Sequence, residues 1–109
     1  MFKVVKEPTF THDVQILEPS DGGHRKQTLK TTFRVVEDET EQDSAASPVE
    51  RAKDWLRRRI VAFHDLTDED GKEIPYSDEI RDQLLARPDI RLGLTLGYNN
   101  AINKALKGN

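Results

Sequence analysis

Two short runs of alternating apolar and polar residues, separated by a turn-rich stretch, constrain this chain more than any other feature. Phe10, His12, Val14 and Ile16 share one side of residues 10–16, with Thr11, Asp13 and Gln15 on the other, which is the period-2 pattern of a half-buried strand. Leu29, Thr31, Phe33 and Val35 alternate in the same way. Between them Glu18-Pro19-Ser20-Asp21-Gly22-Gly23 is dense in turn formers, and its glycines supply the positive φ that a reversal requires. The pattern predicts a β-hairpin over about residues 10–36, closed by a long exposed loop.

The next stretch breaks the pattern. Glu37 to Asp43 carries five carboxylates in seven residues and runs into Ser44-Ala45-Ala46, a composition that buries too little to offset the entropy of ordering. A flexible acidic linker over about 37–46 is expected. Ser47-Pro48-Val49-Glu50 then has the form of a helix start, with Ser47 as cap and Pro48 in the first turn. Val49, Ala52, Leu56, Ile60 and Phe63 follow at spacings of three or four, so a helix continuing to about His64 is favoured. Residues 59–66 also suit a strand, because Ile60-Val61 and Phe63 are strand formers.

Asp68-Glu69-Asp70-Gly71 and Pro75 predict a turn and an extended return. Ser77 caps a short helix bearing Ile80, Leu84 and Leu85, and Pro88 ends it and opens a last one. In that last helix Ile90, Leu94, Tyr98 and Ile102 lie four apart, with Leu92, Leu96 and Leu106 expected to broaden the stripe. The 109 residues suffice for one domain. The fold expected is α+β: an N-terminal β-hairpin followed by three helices in a single domain, the helical part spanning about 47–107.

Composition limits the chemistry. Leu, Ile, Val and Phe make up 27 of the 109 residues, above the ~20% below which disorder is expected. Cysteine is absent, which removes disulfides, thiol nucleophiles and thiolate zinc sites. The net charge of -3 has the wrong sign for a surface that neutralises phosphates. With no run of ~18 apolar residues and no secretory leader pattern, a cytoplasmic protein without membrane contact is expected.

Candidate sites are few. His12, His24 and His64 lack metal-ligand spacing. Asp68, Asp70 and Gly71 fit positions 3, 5 and 6 of a calcium loop, but Leu66 and Ser77 fall where carboxylates are needed, so the segment is taken as an acidic turn with Gly71 left-handed. Arg57-Arg58-Arg59 is the only dense basic run, and consecutive helical residues diverge by about 100°, so the three cannot form one phosphate-binding face. Gly93, Gly97, Ala101 and Ala105 form a small-residue line along the last helix. Two helical glycines cost about 1 kcal/mol each relative to alanine, which calls for close approach of another backbone, either within the same core or from another subunit. No nucleophile elbow, phosphate loop or dinucleotide fingerprint is present, and a non-enzymatic protein without cofactor or metal is expected.

From about Trp55 the order of features resembles a known family. An aromatic-bearing segment (Trp55 to Phe63) leads to Asp65-Leu66, the turn Asp68-Glu69-Asp70-Gly71, then Ile74-Pro75-Tyr76-Ser77, a short helix with Leu84-Leu85, Pro88, and a last helix with Tyr98 and Ala101. This is similar to the tail assembly chaperones of lambda-like, long-tailed, non-contractile phages and prophages. Phe63 stands where that family commonly has tryptophan, and Tyr76 where it often has phenylalanine. The resemblance implies a protein made in many copies that coats and solubilises the tape measure protein in the host cytoplasm, and that is absent from the finished virion. It also implies a frameshifted longer form that recruits tail tube protein, and homo-oligomers. Gly93, Leu94, Gly97, Tyr98, Ala101, Ile102 and Leu106 are then the expected surface for the partner or for self-association. Phe63, Asp70, Gly71 and Tyr76 are expected to fix the turn. Two alternatives stay open: a small nucleic-acid-associated regulator using the arginine run, and a structural head-tail or tail tube component.

Overall fold

A computed structural model describes residues 1–38 and 46–104. The elements follow in the order β1 (Thr9–Ser20), β2 (Gly23–Arg34), α1 (Pro48–Arg59), β3 (Ile60–His64), β4 (Leu66–Thr67), β5 (Glu73–Ile74), α2 (Asp78–Leu85) and α3 (Pro88–Asn103). The expected α+β architecture is found: a hairpin, then three helices, with one helical layer on the apolar side of the sheet. The acidic segment 39–45 and residues 105–109, including Ala105 and Leu106, lie outside the described residues.

β1 and β2 pair antiparallel from Thr9↔Arg34 to Ser20↔Gly23. The expected long loop is therefore a turn of Asp21 and Gly22 alone, Gly22 taking φ +77°. The physical reason lies in the register. Val35 N–H donates to the Pro8 carbonyl at 2.8 Å, which fixes the even-numbered residues of β1 as those hydrogen-bonded to β2. Pro19 is odd, so its missing N–H falls on the free edge, where a strand tolerates proline. Val14, Ile16, Leu29, Thr31 and Phe33 face the core, and the buried Thr31 hydroxyl is satisfied by donating to the Leu29 carbonyl at 3.0 Å.

The helix favoured to His64 stops at Arg59, and residues 60–64 form β3 beside β2. A bulge explains the ambiguity. Ala62 faces Thr32 while Ile60 faces Phe33, so Val61 is an extra residue, and Ile60 and Phe63 both point inward. Their helix-like spacing of three is thus accommodated in a strand. Val49, placed on the apolar helical face, is exposed. Asp65 turns the corner out of the sheet at φ 57°, a left-handed conformation that aspartate tolerates better than most residues.

The core is built from Val14, Ile16, Leu29, Phe33, Leu56, Ile60, Phe63, Leu85, Ile90, Leu94 and Tyr98. Tyr98 stands among rings, 5.4 Å from Phe33 and from Trp55 and 5.9 Å from Phe10 between centroids. Arg59 lies over the Trp55 ring at 3.8 Å. As expected, Ser47 and Ser77 cap their helices, accepting from the N–H of Glu50 at 3.1 Å and of Ile80 at 3.2 Å. No helix among the described residues is long and apolar enough to cross a membrane.

Candidate functional site

β1 is an edge strand, since the sheet order is β1-β2-β3. The register leaves the backbone groups of Thr11, Asp13, Gln15 and Leu17 turned away from β2. α3 crosses over this strand. Its approach is close because Gly93 and Gly97 carry no Cβ: one added at Gly93 would stand 2.6 Å from Ile16 Cδ1 and 2.9 Å from the Gln15 carbonyl oxygen, and one at Gly97 3.1 Å from Val14 Cγ2. Gly93 and Gly97 therefore serve packing of α3 on the chain's own sheet. Of the two readings of that line, the intrachain one accounts for both glycines.

Between the free edge of β1 and the flank of α3 runs an open groove of about 540 Å³. Asp13, Val14, Gln15 and Leu17 line its sheet side, and Leu92, Gly93, Leu96, Gly97 and Ala101 its helix side. Leu92, Leu96 and Leu17 are 61%, 52% and 51% exposed, so the groove is apolar yet open to solvent. Asp89 and Lys26 stand at the end nearest the hairpin turn, with Lys104 and His12 toward the other. The Arg87 guanidinium 2.6 Å from Asp89 holds that carboxyl below its usual range.

The expected partner surface is divided by the structure. Gly93, Gly97 and Ala101 line the groove, Leu94 and Tyr98 are buried in the core, and Ile102 is exposed; Leu106 lies outside the described residues. Leu92 and Leu96 do not broaden the core stripe but face away from it. Two positions along a helix turn by about 200°, so Ile90, Leu94 and Tyr98 form one apolar side and Leu92 and Leu96 another. That second side was the signal in the sequence: a helix apolar on both faces has more to bury than one core contact uses.

The expected turn residues lie at and beside the acidic turn, Asp70 taking part through its backbone N–H. Phe63 and Tyr76 pack edge to face at 5.7 Å, and burial pushes the Tyr76 phenol up. The Asp68 carboxylate accepts from the backbone N–H groups of Asp70 and Lys72 at 2.9 and 3.0 Å, and Gly71 is left-handed at φ +82°. This is the acidic turn expected. Among the described residues no group of three His, Asp or Glu side chains is placed to hold a metal ion. The arginine run is engaged internally: Arg57 binds Asp54 at 2.6 Å and Asp82 at 3.0 Å, joining α1 to α2, and Arg59 donates to the Trp55 carbonyl at 3.0 Å. His64 contacts the Thr32 hydroxyl at 2.7 Å on the outer face of the sheet, and the exposed His12 sits beside the Thr11 carbonyl on the edge strand. No family model, curated protein or solved structure matches the chain.

Proposed function

We propose that this protein is a non-enzymatic tail assembly chaperone of the type serving long-tailed, lambda-like phages, which takes an apolar helical segment of a tape measure protein into the β1–α3 groove. The observation that carries the reading is the exposed pair Leu92 and Leu96, set on a helix whose opposite side is already buried. Along α3 the groove runs from Asp89 to Lys104, about 22 Å at 1.5 Å per residue, which is enough for roughly four turns of a client helix. The order Phe63, Asp68 to Gly71, Ile74-Pro75-Tyr76-Ser77 supports the family assignment. An acidic net charge of -3 helps keep a chain with an open apolar groove dissolved. On this reading the protein acts in the host cytoplasm, leaves before the virion is complete, and delivers tail tube subunits through a longer, frameshifted form. Engagement of Arg57 and Arg59 within the fold weighs against the nucleic-acid alternative.

The test is co-expression of the full chain with the long coiled-coil protein encoded beside it. The wild-type chain is expected to make that partner soluble and to co-purify with it. A double variant, Leu92→Asp with Leu96→Asp, changes exposed positions and is expected to keep its stability within about 0.5 kcal/mol per site while losing the partner. An insoluble partner beside a well-folded wild type would overturn the chaperone reading, and undiminished co-purification of the double variant would overturn the groove. Mass spectrometry of purified particles separates a chaperone, expected to be absent, from a structural component.

A further inference from the structure

The segment ahead of β1 is uncovered: residues 1–5 take no regular structure and Lys6 and Glu7 form a bend before the strand. Phe2 and Val4 are 89% and 86% exposed, alternate with Lys3 and Val5, and run directly into β1 through Pro8. An edge strand with free backbone groups and an adjacent apolar flank accepts a strand whose inward residues are apolar. Phe2 and Val4 meet that specification: with both turned to the core side of a strand added beside β1, beneath Leu92 and Leu96, Lys3 and Val5 fall on the solvent side, Lys3 next to the outward-facing Asp13, and Lys6 follows Phe2 and Val4 at the end of the segment. Lys3 thereby brings a positive charge to Asp13 on the sheet side of the groove. The lengths also agree, because residues 1–7 extended span about 20 Å, close to the groove's roughly 22 Å along α3.

We propose that Phe2 to Lys6 of one copy adds as a strand to the free edge of β1 in a second copy, and that the exchange is reciprocal. The segment cannot serve its own groove in this arrangement, since its apolar side chains stand in solvent while the chain is continuous with β1. Reciprocity follows the two-fold symmetry that most homodimers adopt and doubles the surface buried. A stable interface buries about 1,200–2,000 Å² in total, and exchange across a two-fold axis fills two grooves with two segments instead of one.

Because the chain has no cysteine, single substitutions give clean cross-links. Full-length Val4→Cys and Leu96→Cys proteins are mixed and oxidised. The expected product is the disulfide joining a Val4→Cys copy to a Leu96→Cys copy, in excess over either like pair. Predominance of the Leu96→Cys like pair would mean face-to-face packing of α3 and would overturn the exchange, as would the absence of cross-links. Light scattering gives a second readout: the wild type is expected to be dimeric, and Val4→Asp monomeric with an unchanged circular dichroism spectrum. A dimer that survives Val4→Asp overturns the proposal. The occupant named here uses the groove of the chaperone reading, but these tests use the protein alone. A monomer that still solubilises the tape measure protein overturns the exchange and spares the chaperone, and exchange without solubilisation does the reverse.

Discussion

Two glycines decide how near α3 comes to β1, and they do so unequally. At Gly93 a methyl group would collide with Ile16 Cδ1 and with a backbone oxygen, that of Gln15, which cannot move without disturbing the strand. Overpacking of this kind costs about 1–3 kcal/mol, against about 1 kcal/mol recovered from helix propensity. Gly93→Ala is therefore expected to lower the stability by up to about 2 kcal/mol. At Gly97 the neighbours are the two methyls of Val14 at 3.1 and 3.2 Å, which can yield by a few tenths of an ångström, so Gly97→Ala is expected to be nearly neutral. Urea unfolding of both variants checks the ordering, with a lowered midpoint for the first alone. The spacing of these glycines was visible in the sequence. Which backbone they admitted was not, because a small-residue line is the same whether the neighbour is a strand of the same chain or a helix of another.

Among the elements, β3 shows where local pattern misleads. Ile60 and Phe63 lie three apart, a helical spacing, and only pairing with β2 through a bulge at Val61 turns both toward the core. The caps were legible for the opposite reason, since their chemistry is local. Ser77 accepts from the Ile80 N–H at the start of α2, a helix of only eight residues in which one unsatisfied donor is a large share of the whole. Ser77→Ala is expected to cost about 1 kcal/mol, read as a lowered urea midpoint, while Ser77→Asp is expected to retain most of the stability.

At the scale of the whole molecule, the hairpin is tied to the last helix by charge. Glu18 on β1 accepts from Arg25 and Gln27 on β2 and from Arg87 at the start of α3, the last at 3.0 Å. Arg25, then Arg87, then Gln27 hold its carboxyl down from the ordinary 4.5 to about 2. A carboxyl whose folded-state value lies below its unfolded one stabilises the fold fully above the unfolded value and ceases to do so as the pH falls through the folded one. The melting temperature of wild type is therefore expected to exceed that of Glu18→Gln by a constant margin above pH 4.5, a margin that closes as the pH falls toward 2. A margin independent of pH down to 2 would show that the tether does not act through charge.

The sequence by itself determined the hairpin, both serine caps, the acidic turn and the α+β class, because each rests on spacing or chemistry within a few neighbouring residues. The hairpin's short turn, the strand at 60–64 and the outward side of α3 were decided only by tertiary structure. Backbone pairing across the sheet assigned Pro19 its harmless place and Val61 its bulge, and close packing of Gly93 and Gly97 on β1 left Leu92 and Leu96 on the flank of their helix, turned away from the core. A groove between an edge strand and a helix 80 residues further along exists only once both have docked, so no local pattern encodes it.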